Sequence, residues 1–106
     1  MKSTRARSAR ADIDEGMMEH EARHDLIPQW LLDEVAEVLG HGAVKHGETS
    51  WQIDDRPQST HLLKARSHMV QWERGDWIDE DSGCSHAAHV LARVALAADR
   101  QRRGLP

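Results

Sequence analysis

Apolar residues recur at intervals of three and four in three separate segments of this chain, and that spacing places side chains along one face of an α-helix. The predicted buried faces are Leu31, Val35 and Val38 with Leu39 beside them, then Leu62, Ala65, Met69 and Trp72, and finally Val90, Val94 and Ala97. The apolar residues are mostly Ala, Leu and Val, with no Phe or Tyr, and this bias favours helices over strands. We therefore predict an all-α fold.

Residues that start and stop helices bound the three segments. Pro28 suits the first turn of a helix and Gly47 suits its end, while Ser59 is a good cap for the second helix. The predicted helices run over 28–47, over 60–75, and from Ser82 or Ser85 to about Arg100. A polar connection and an acidic loop, "DWIDEDSG", separate them.

With 106 residues the chain makes one small domain at most, and its core is small for a protein that stands alone. We expect a small bundle of three main helices completed by homo-oligomerisation, as a dimer or tetramer. Residues 1–23 are basic and then acidic without periodicity, so we predict a mobile N-terminal tail there. The helical domain is predicted at 24–101, followed by a C-terminal tail at 102–106.

Charge and composition restrict the environment and the partners. A net charge of −4 argues against stable, sequence-independent binding of nucleic acid. No segment approaches the roughly 20 apolar residues of a membrane span, and the basic N-terminus has no apolar run behind it. The single cysteine, Cys84, excludes an internal disulfide and suits a reducing compartment. We expect a cytoplasmic protein without a membrane partner.

The first helix carries two carboxylates and an imidazole on one stripe beside its apolar face. Glu34 and Glu37 are three residues apart, and His41 follows four residues later. Two carboxylates so placed repel each other unless they are solvated or joined by a cation, and Mg²⁺ or Mn²⁺ takes carboxylate oxygens. The pair is therefore either half of a metal site or a solvated acidic surface, and the pair alone favours the surface.

The second and third helices add further polar stripes beside apolar ones. His61 and His68 are seven residues apart, and His86, His89 and Arg93 follow at intervals of three and four. Neutral imidazoles bind transition metals or transfer protons near pH 7, and arginine suits a phosphate. The alternative is a helix–helix interface with satisfied hydrogen bonds. Three such stripes together favour a shared cleft for a polyphosphate held through divalent cations.

The order of these motifs resembles a known family. "HDLIPQWLLDEVAEVLGHGAVKHGETSW" and "LLKARSHMVQWERGDWIDEDSGCSHAAHVLARVAL" resemble the phage-associated dATP/dGTP diphosphohydrolase N-terminal-type domain. That family is regarded as related to the MazG-like all-α nucleotide pyrophosphohydrolases, and the resemblance covers about residues 23–98. It implies an acidic pair at Glu34 and Glu37. A second helix of MazG-like enzymes carries E-x-x-D, and we infer that His86-x-x-His89 takes that position here.

From the residues and the resemblance together, we expect metal-dependent hydrolysis of a purine (deoxy)nucleoside triphosphate to monophosphate and pyrophosphate, which would adjust a phage or prophage nucleotide pool. The predicted metal ligands are Glu34, Glu37, His86 and His89, the predicted catalytic residues His68 and Asp79, and the predicted substrate-binding residues Lys45, Trp51, Arg66 and Arg93. The expected cation is Mg²⁺ or Mn²⁺, with Co²⁺ or Zn²⁺ as alternatives because of the histidines. The alternatives are a module that binds a nucleotide without cleaving it and a purely structural helical oligomer.

Overall fold

The computed structural model describes residues 20–47 and 56–106, and these form three α-helices. A 3₁₀ helix at His24–Leu26 comes first, then α1 at Gln29–His46, α2 at Gln58–Glu73 and α3 at His86–Arg102. The all-α prediction with three main helices is confirmed. Trp51 and most of the predicted N-terminal tail lie outside the described residues. In the part of the chain that is described, no helix has the length and apolar character needed to cross a membrane.

The predicted helix boundaries hold for α1 and α3 and shift for α2. Ser85 caps α3, since its side chain accepts a hydrogen bond from the backbone N–H of Ala88. Ser59 was predicted as the cap of α2, but it lies inside that helix, whose N-cap is Pro57. Pro57 has an extended conformation and is not yet part of the helix, and its fixed φ of −70° allows the helix to begin at the next residue.

Small side chains and histidines form the core between the helices. α3 packs mainly against α2 and also against α1. The buried apolar residues of the described chain are Ala65, Cys84, Ala87, Ala88, Ala92 and Ala97, and the buried polar residues are His61, Ser85, His86 and Arg100. Alanines let the backbones of α2 and α3 approach closely, and imidazole rings then fill the space that larger apolar side chains occupy in most helical cores.

The predicted buried face of α2 is therefore wrong in most of its positions. Leu62, Met69 and Trp72 are exposed, and only Ala65 of the predicted stripe is buried. The face that contacts α3 is rotated, because it carries the buried His61 and the half-buried His68. In α3, Ala97 is buried as predicted and Val90 is half-buried, whereas Val94 is exposed.

The loop from α2 to α3 folds back as a tight turn that fixes the start of α3. Ile78 pairs with Ser85 in a single antiparallel bridge, and the backbone N–H of Asp79 donates to the carbonyl of Cys84 at 2.8 Å. The backbone N–H of His86 donates to the carbonyl of Trp77 at 2.8 Å. Gly83 adopts φ of +74°, a conformation that side chains disfavour, so glycine is needed where the turn reverses.

The last residues of the chain return to the start of α2. The carbonyl oxygen of Pro106 accepts hydrogen bonds from the backbone N–H of Gln58 at 2.8 Å and from Nε of Arg100 at 3.3 Å. The side chain of Gln58 also donates to the carbonyl of Leu105. These contacts satisfy one of the unpaired N–H groups at the helix start and join the far end of α3 to α2.

Candidate metal centre

Three histidine rings meet where α2, α3 and the connecting loop come together. His68 comes from the second half of α2, and His86 and His89 come from the first turn of α3, three residues apart on one face. The ring of His68 stacks on His89, with centroids 4.4 Å apart and an interplanar angle of 10°. The His68 and His86 centroids lie 5.1 Å apart. The structure thus brings together three of the sequence-predicted site residues.

His68 and His86 share a hydrogen bond between like atoms. Their Nδ1 atoms lie 2.9 Å apart, so one of the two nitrogens carries the proton and the other accepts it. The proton position decides which nitrogen of His86 keeps its lone pair. Protonation at Nδ1 leaves the lone pair at Nε2, and protonation at Nε2 leaves it at Nδ1.

Ser82 joins Asp79 to His89. The Ser82 hydroxyl donates to Oδ2 of Asp79 at 2.9 Å and accepts from the backbone N–H of Cys84 at 3.2 Å. Its one proton is then committed, so the contact of 2.7 Å between Ser82 Oγ and His89 Nε2 requires His89 to donate. His89 therefore carries its proton on Nε2, which also lies 3.4 Å from Oδ2 of Asp79. Neutral His89 would bind a metal through Nδ1.

The electrostatics of the cluster disfavour the charged forms of His68 and His89 and favour the charged form of Asp79. Burial, together with the neighbouring histidines, lowers the pKa of His68. Burial also lowers the pKa of His89, and the carboxylate of Asp79 offsets only part of that effect. Burial by itself would raise the pKa of Asp79, but hydrogen bonds from Ser82 and the nearby histidines outweigh it and lower that pKa. Neutral nitrogens beside an ionised oxygen are the donors that a divalent transition metal takes.

The geometry of the donor atoms fits a metal ion. One donor atom each from His68, Asp79 and His86 lies within 4.8 Å of the others, and this is the only such group among residues 20–47 and 56–106. Two histidines and one carboxylate are a ligand set typical of first-row transition metals. His86 is fully buried, and its Nε2 atom has no hydrogen-bond partner. A buried nitrogen without a partner is costly in a protein interior unless something binds it.

An acidic cleft opens beside the histidines. It has a volume of about 340 Å³ and is lined by Gln71, Asp76, Asp79, Glu80 and Asp81. Asp79 thus belongs both to the metal-donor group and to the cleft wall. Four carboxylates repel the phosphates of a nucleotide, so a polyphosphate in this cleft needs cations between it and the protein.

The predicted acidic pair of α1 lies against the start of α3. Oε1 of Glu34 accepts from the backbone N–H of Ser85 at 2.7 Å, and Oε2 of Glu37 accepts from the thiol of Cys84 at 3.4 Å. Burial and the neighbouring Glu37 raise the pKa of Cys84, so this thiol is protonated and a poor nucleophile. The two carboxylates stand outside the metal-donor group of the described chain, and their role as metal ligands stays a prediction.

The predicted substrate-binding residues are spread over the surface and the helix interface. Lys45 and Arg66 are exposed, in α1 and α2 respectively. Arg93 is half-buried, and its Nη1 lies 3.2 Å from Nδ1 of His61 on α2. Since a guanidinium only donates, His61 accepts there and carries its own proton on Nε2.

Two residues of this region were not predicted as site residues: Ser82 was named as a possible helix start, and Asp76 was assigned no role. Ser82 links two of the predicted site residues, and Asp76 places its Oδ2 atom 3.3 Å from Nε2 of His86. The acidic loop between helices was visible in the sequence, but nothing in its spacing indicated which acids would turn toward the histidines. The bridge between Ile78 and Ser85 decides that, because it folds the loop back over the start of α3.

A comparison with protein families finds one whose description is dATP/dGTP diphosphohydrolase, N-terminal, and its sequence model matches residues 13–105. The match covers most of the chain and begins within the predicted N-terminal tail. Comparisons with curated proteins and with solved structures find no match.

Proposed function

We propose that this chain, which belongs to the dATP/dGTP diphosphohydrolase N-terminal family, hydrolyses purine deoxynucleoside triphosphates to monophosphate and pyrophosphate with a divalent cation. The family description names a diphosphohydrolase of dATP and dGTP. The observation that supports the reaction in this chain is the group of donor atoms from His68, Asp79 and His86 at the wall of an acidic cleft. A phage or prophage role in adjusting the nucleotide pool, in the host cytoplasm, belongs to the same proposal.

A divalent cation in this cluster would offset the charge of the triphosphate and make a bound water more acidic. Mg²⁺ and Mn²⁺ bind carboxylate oxygens such as those of the cleft. Imidazole ligands favour Mn²⁺, Co²⁺ or Zn²⁺ over Mg²⁺. The sequence-predicted ligands Glu34, Glu37, His86 and His89 differ from the observed donor group in three of four positions. We propose the observed group as the first candidate, with His86 common to both.

The chain's own residues would divide the remaining tasks. Whichever of His68 and Asp79 does not bind the cation would accept a proton from the attacking water, because both lie in the donor group beside the cleft. Arg93 would contact phosphate oxygens, and its hydrogen bond to His61 holds the guanidinium at the interface of α2 and α3. Lys45 and Arg66 are exposed and could add positive charge, and Trp51 is proposed to stack on the base.

A nucleotide-binding module without hydrolysis is the second candidate function. One contact favours it: Glu34, expected to hold a catalytic cation, already accepts a short hydrogen bond from Ser85. A carboxylate committed to the backbone of α3 is less available to a cation. Such a module would bind the nucleotide through the histidine cluster and release it unchanged.

The deciding experiment incubates the protein with dATP or dGTP and with Mg²⁺, Mn²⁺, Co²⁺ or Zn²⁺, and then separates the products. Monophosphate and pyrophosphate in equal amounts support hydrolysis. Unchanged nucleotide together with a rise in melting temperature supports the binding module. Asp79→Asn should abolish turnover, and the matched control His24→Gln should keep it, because His24 is exposed in the 3₁₀ helix outside the cluster.

A further inference from the structure

The contact between His86 and Asp76 does not behave as a hydrogen bond. Nε2 of His86 and Oδ2 of Asp76 lie 3.3 Å apart, just beyond the roughly 2.7–3.2 Å of ordinary N–H···O bonds. The two atoms are close enough for an ion pair, but an N–H on Nε2 would not point at the carboxylate oxygen, so Nε2 has no hydrogen-bond partner. The His86 side chain is 1% exposed, and the Asp76 side chain is 56% exposed. A buried nitrogen thus lies beside a carboxylate that lines the acidic cleft.

From this geometry we infer that His86 Nε2 and Asp76 Oδ2 bind a divalent transition-metal ion at the mouth of the cleft. In a tetrahedral site with bonds of about 2.0–2.1 Å, two ligand atoms lie roughly 3.3–3.4 Å apart. The observed separation of 3.3 Å matches that spacing. A proton on Nε2 would be buried without an acceptor, and a lone pair there would be buried without a donor, 3.3 Å from a negative oxygen. A cation between the two atoms satisfies both.

The partner of the other ring nitrogen supports this choice of metal-binding atom. Metal-binding histidines usually donate their second N–H to a nearby acceptor, which fixes the tautomer. Nδ1 of His86 lies 2.9 Å from Nδ1 of His68, so His86 can donate there while Nε2 keeps its lone pair. His68 then acts through His86 as a positioning residue. This passes the proton-accepting role in the proposed reaction to Asp79.

The surroundings favour a cation at this position. Asp76 lines the acidic cleft with Asp79, Glu80 and Asp81, and their summed negative charge attracts a divalent ion. The cleft volume of about 340 Å³ leaves room for water or phosphate oxygens as the remaining ligands. The inference rests on the proposed function only in that both require a divalent cation, and it makes Asp76 a ligand and His68 a positioning residue in place of a ligand.

Zinc binding to the full chain, without nucleotide, tests the inference. Calorimetric titration with Zn²⁺ should show at least a tenfold loss of affinity in Asp76→Asn and a loss of about 10–100-fold in His68→Gln. Glu73→Gln is the matched control, since it removes an exposed carboxylate that does not line the cleft, and its affinity should stay within about threefold of the wild type. Circular dichroism should show unchanged helix content in Asp76→Asn because Asp76 is exposed.

Nitrogen-15 NMR of the zinc-bound protein identifies the binding atom. We expect the His86 signals of a metal-bound Nε2 and a protonated Nδ1. A metal-bound Nδ1, or wild-type affinity in Asp76→Asn, would overturn the inference. Zinc binding as expected without any nucleotide hydrolysis would leave the inference standing and refute the proposed reaction. Hydrolysis with Mg²⁺ in a chain that binds no Zn²⁺ would support the proposed reaction and refute the inference.

Discussion

Oε1 of Glu34 accepts a hydrogen bond of 2.7 Å from the backbone N–H of Ser85, across 51 residues of sequence. Ser85 is the N-cap of α3, so the carboxylate of α1 lies at the positive end of the α3 dipole. This contact and that of Glu37 with Cys84 fix the start of α3 against α1. The position of His86 and His89 in the cluster depends on that start.

Replacing Glu34 by alanine should lower the free energy of unfolding. The substitution leaves the buried N–H of Ser85 without its charged acceptor, at a cost of about 1–3 kcal/mol. Urea unfolding followed by circular dichroism measures the loss. Glu73→Ala, at an exposed site in α2, should stay within about 0.5 kcal/mol of the wild type. Equal stabilities of Glu34→Ala and the wild type would show that Ser85 finds another acceptor.

The metal-free protein should lose stability as the pH falls below the ordinary histidine value. The pKa values of His68 and His89 are lowered in the folded protein, so the unfolded chain binds protons first when acid is added. Stability is complete above about pH 6.5 and declines as the pH drops toward the folded-state pKa values. The pKa of Asp79 is also lowered, so its contribution to stability is lost only below about pH 4.

Unfolding in urea with a chelator, between pH 8 and pH 5, measures this dependence. His24→Gln should preserve the slope, because His24 lies outside the cluster. The double variant His68→Gln with His89→Gln should flatten it. A wild-type protein equally stable at pH 5 and pH 8 would contradict the lowered pKa values.

Gly83→Ala should cost about 1 kcal/mol in unfolding free energy. Gly83 adopts φ of +74°, and a residue with a Cβ pays roughly 1–2 kcal/mol in the left-handed region. A Cβ built there meets no atom within 4 Å, so the cost comes from backbone strain alone. Gly40→Ala, inside α1 and also in open space, should be neutral or stabilising because alanine favours helices. Thermal unfolding of both variants measures the cost of the backbone conformation, and a Gly83→Ala protein as stable as the wild type would contradict it.

The chain should form a homo-oligomer in solution. Large apolar side chains are exposed on every helix, including Val44 at 89% and Leu63 at 64%, while the buried apolar residues of the described chain are alanines and one cysteine. Such a core is small for a stable monomer, and contact with a second copy would cover the exposed residues. Light scattering at micromolar concentration should give the mass of a dimer or tetramer.

Charged substitutions locate the interface. Val44→Glu or Leu63→Glu should reduce the measured mass if its face is covered in the oligomer, whereas Lys64→Glu is a control with a charge already at the surface. A monomeric mass for the wild type would refute the homo-oligomer.

Much of the fold could be predicted from local patterns. The spacing of Leu31, Val35 and Val38 located α1, and the start of α3 was narrowed to Ser82 or Ser85, because helix periodicity and capping act over a few residues. The orientation of α2 could not be predicted in this way. Its most apolar stripe, with Leu62 and Met69, faces outward in the single chain, since close packing against the alanines of α3 selected the stripe with His61 and Ala65.

The sequence by itself determined the three helices and the presence of imidazoles at helical spacing on α2 and α3. Only the tertiary structure decided which groups meet: Asp76 with His86, Ser82 with His89, and Glu34 with Ser85. The physical reason is the distance along the sequence over which each interaction acts. Periodicity and caps depend on neighbours within one or two turns, whereas these contacts depend on how the loop folds back and how closely the alanine-lined helices approach.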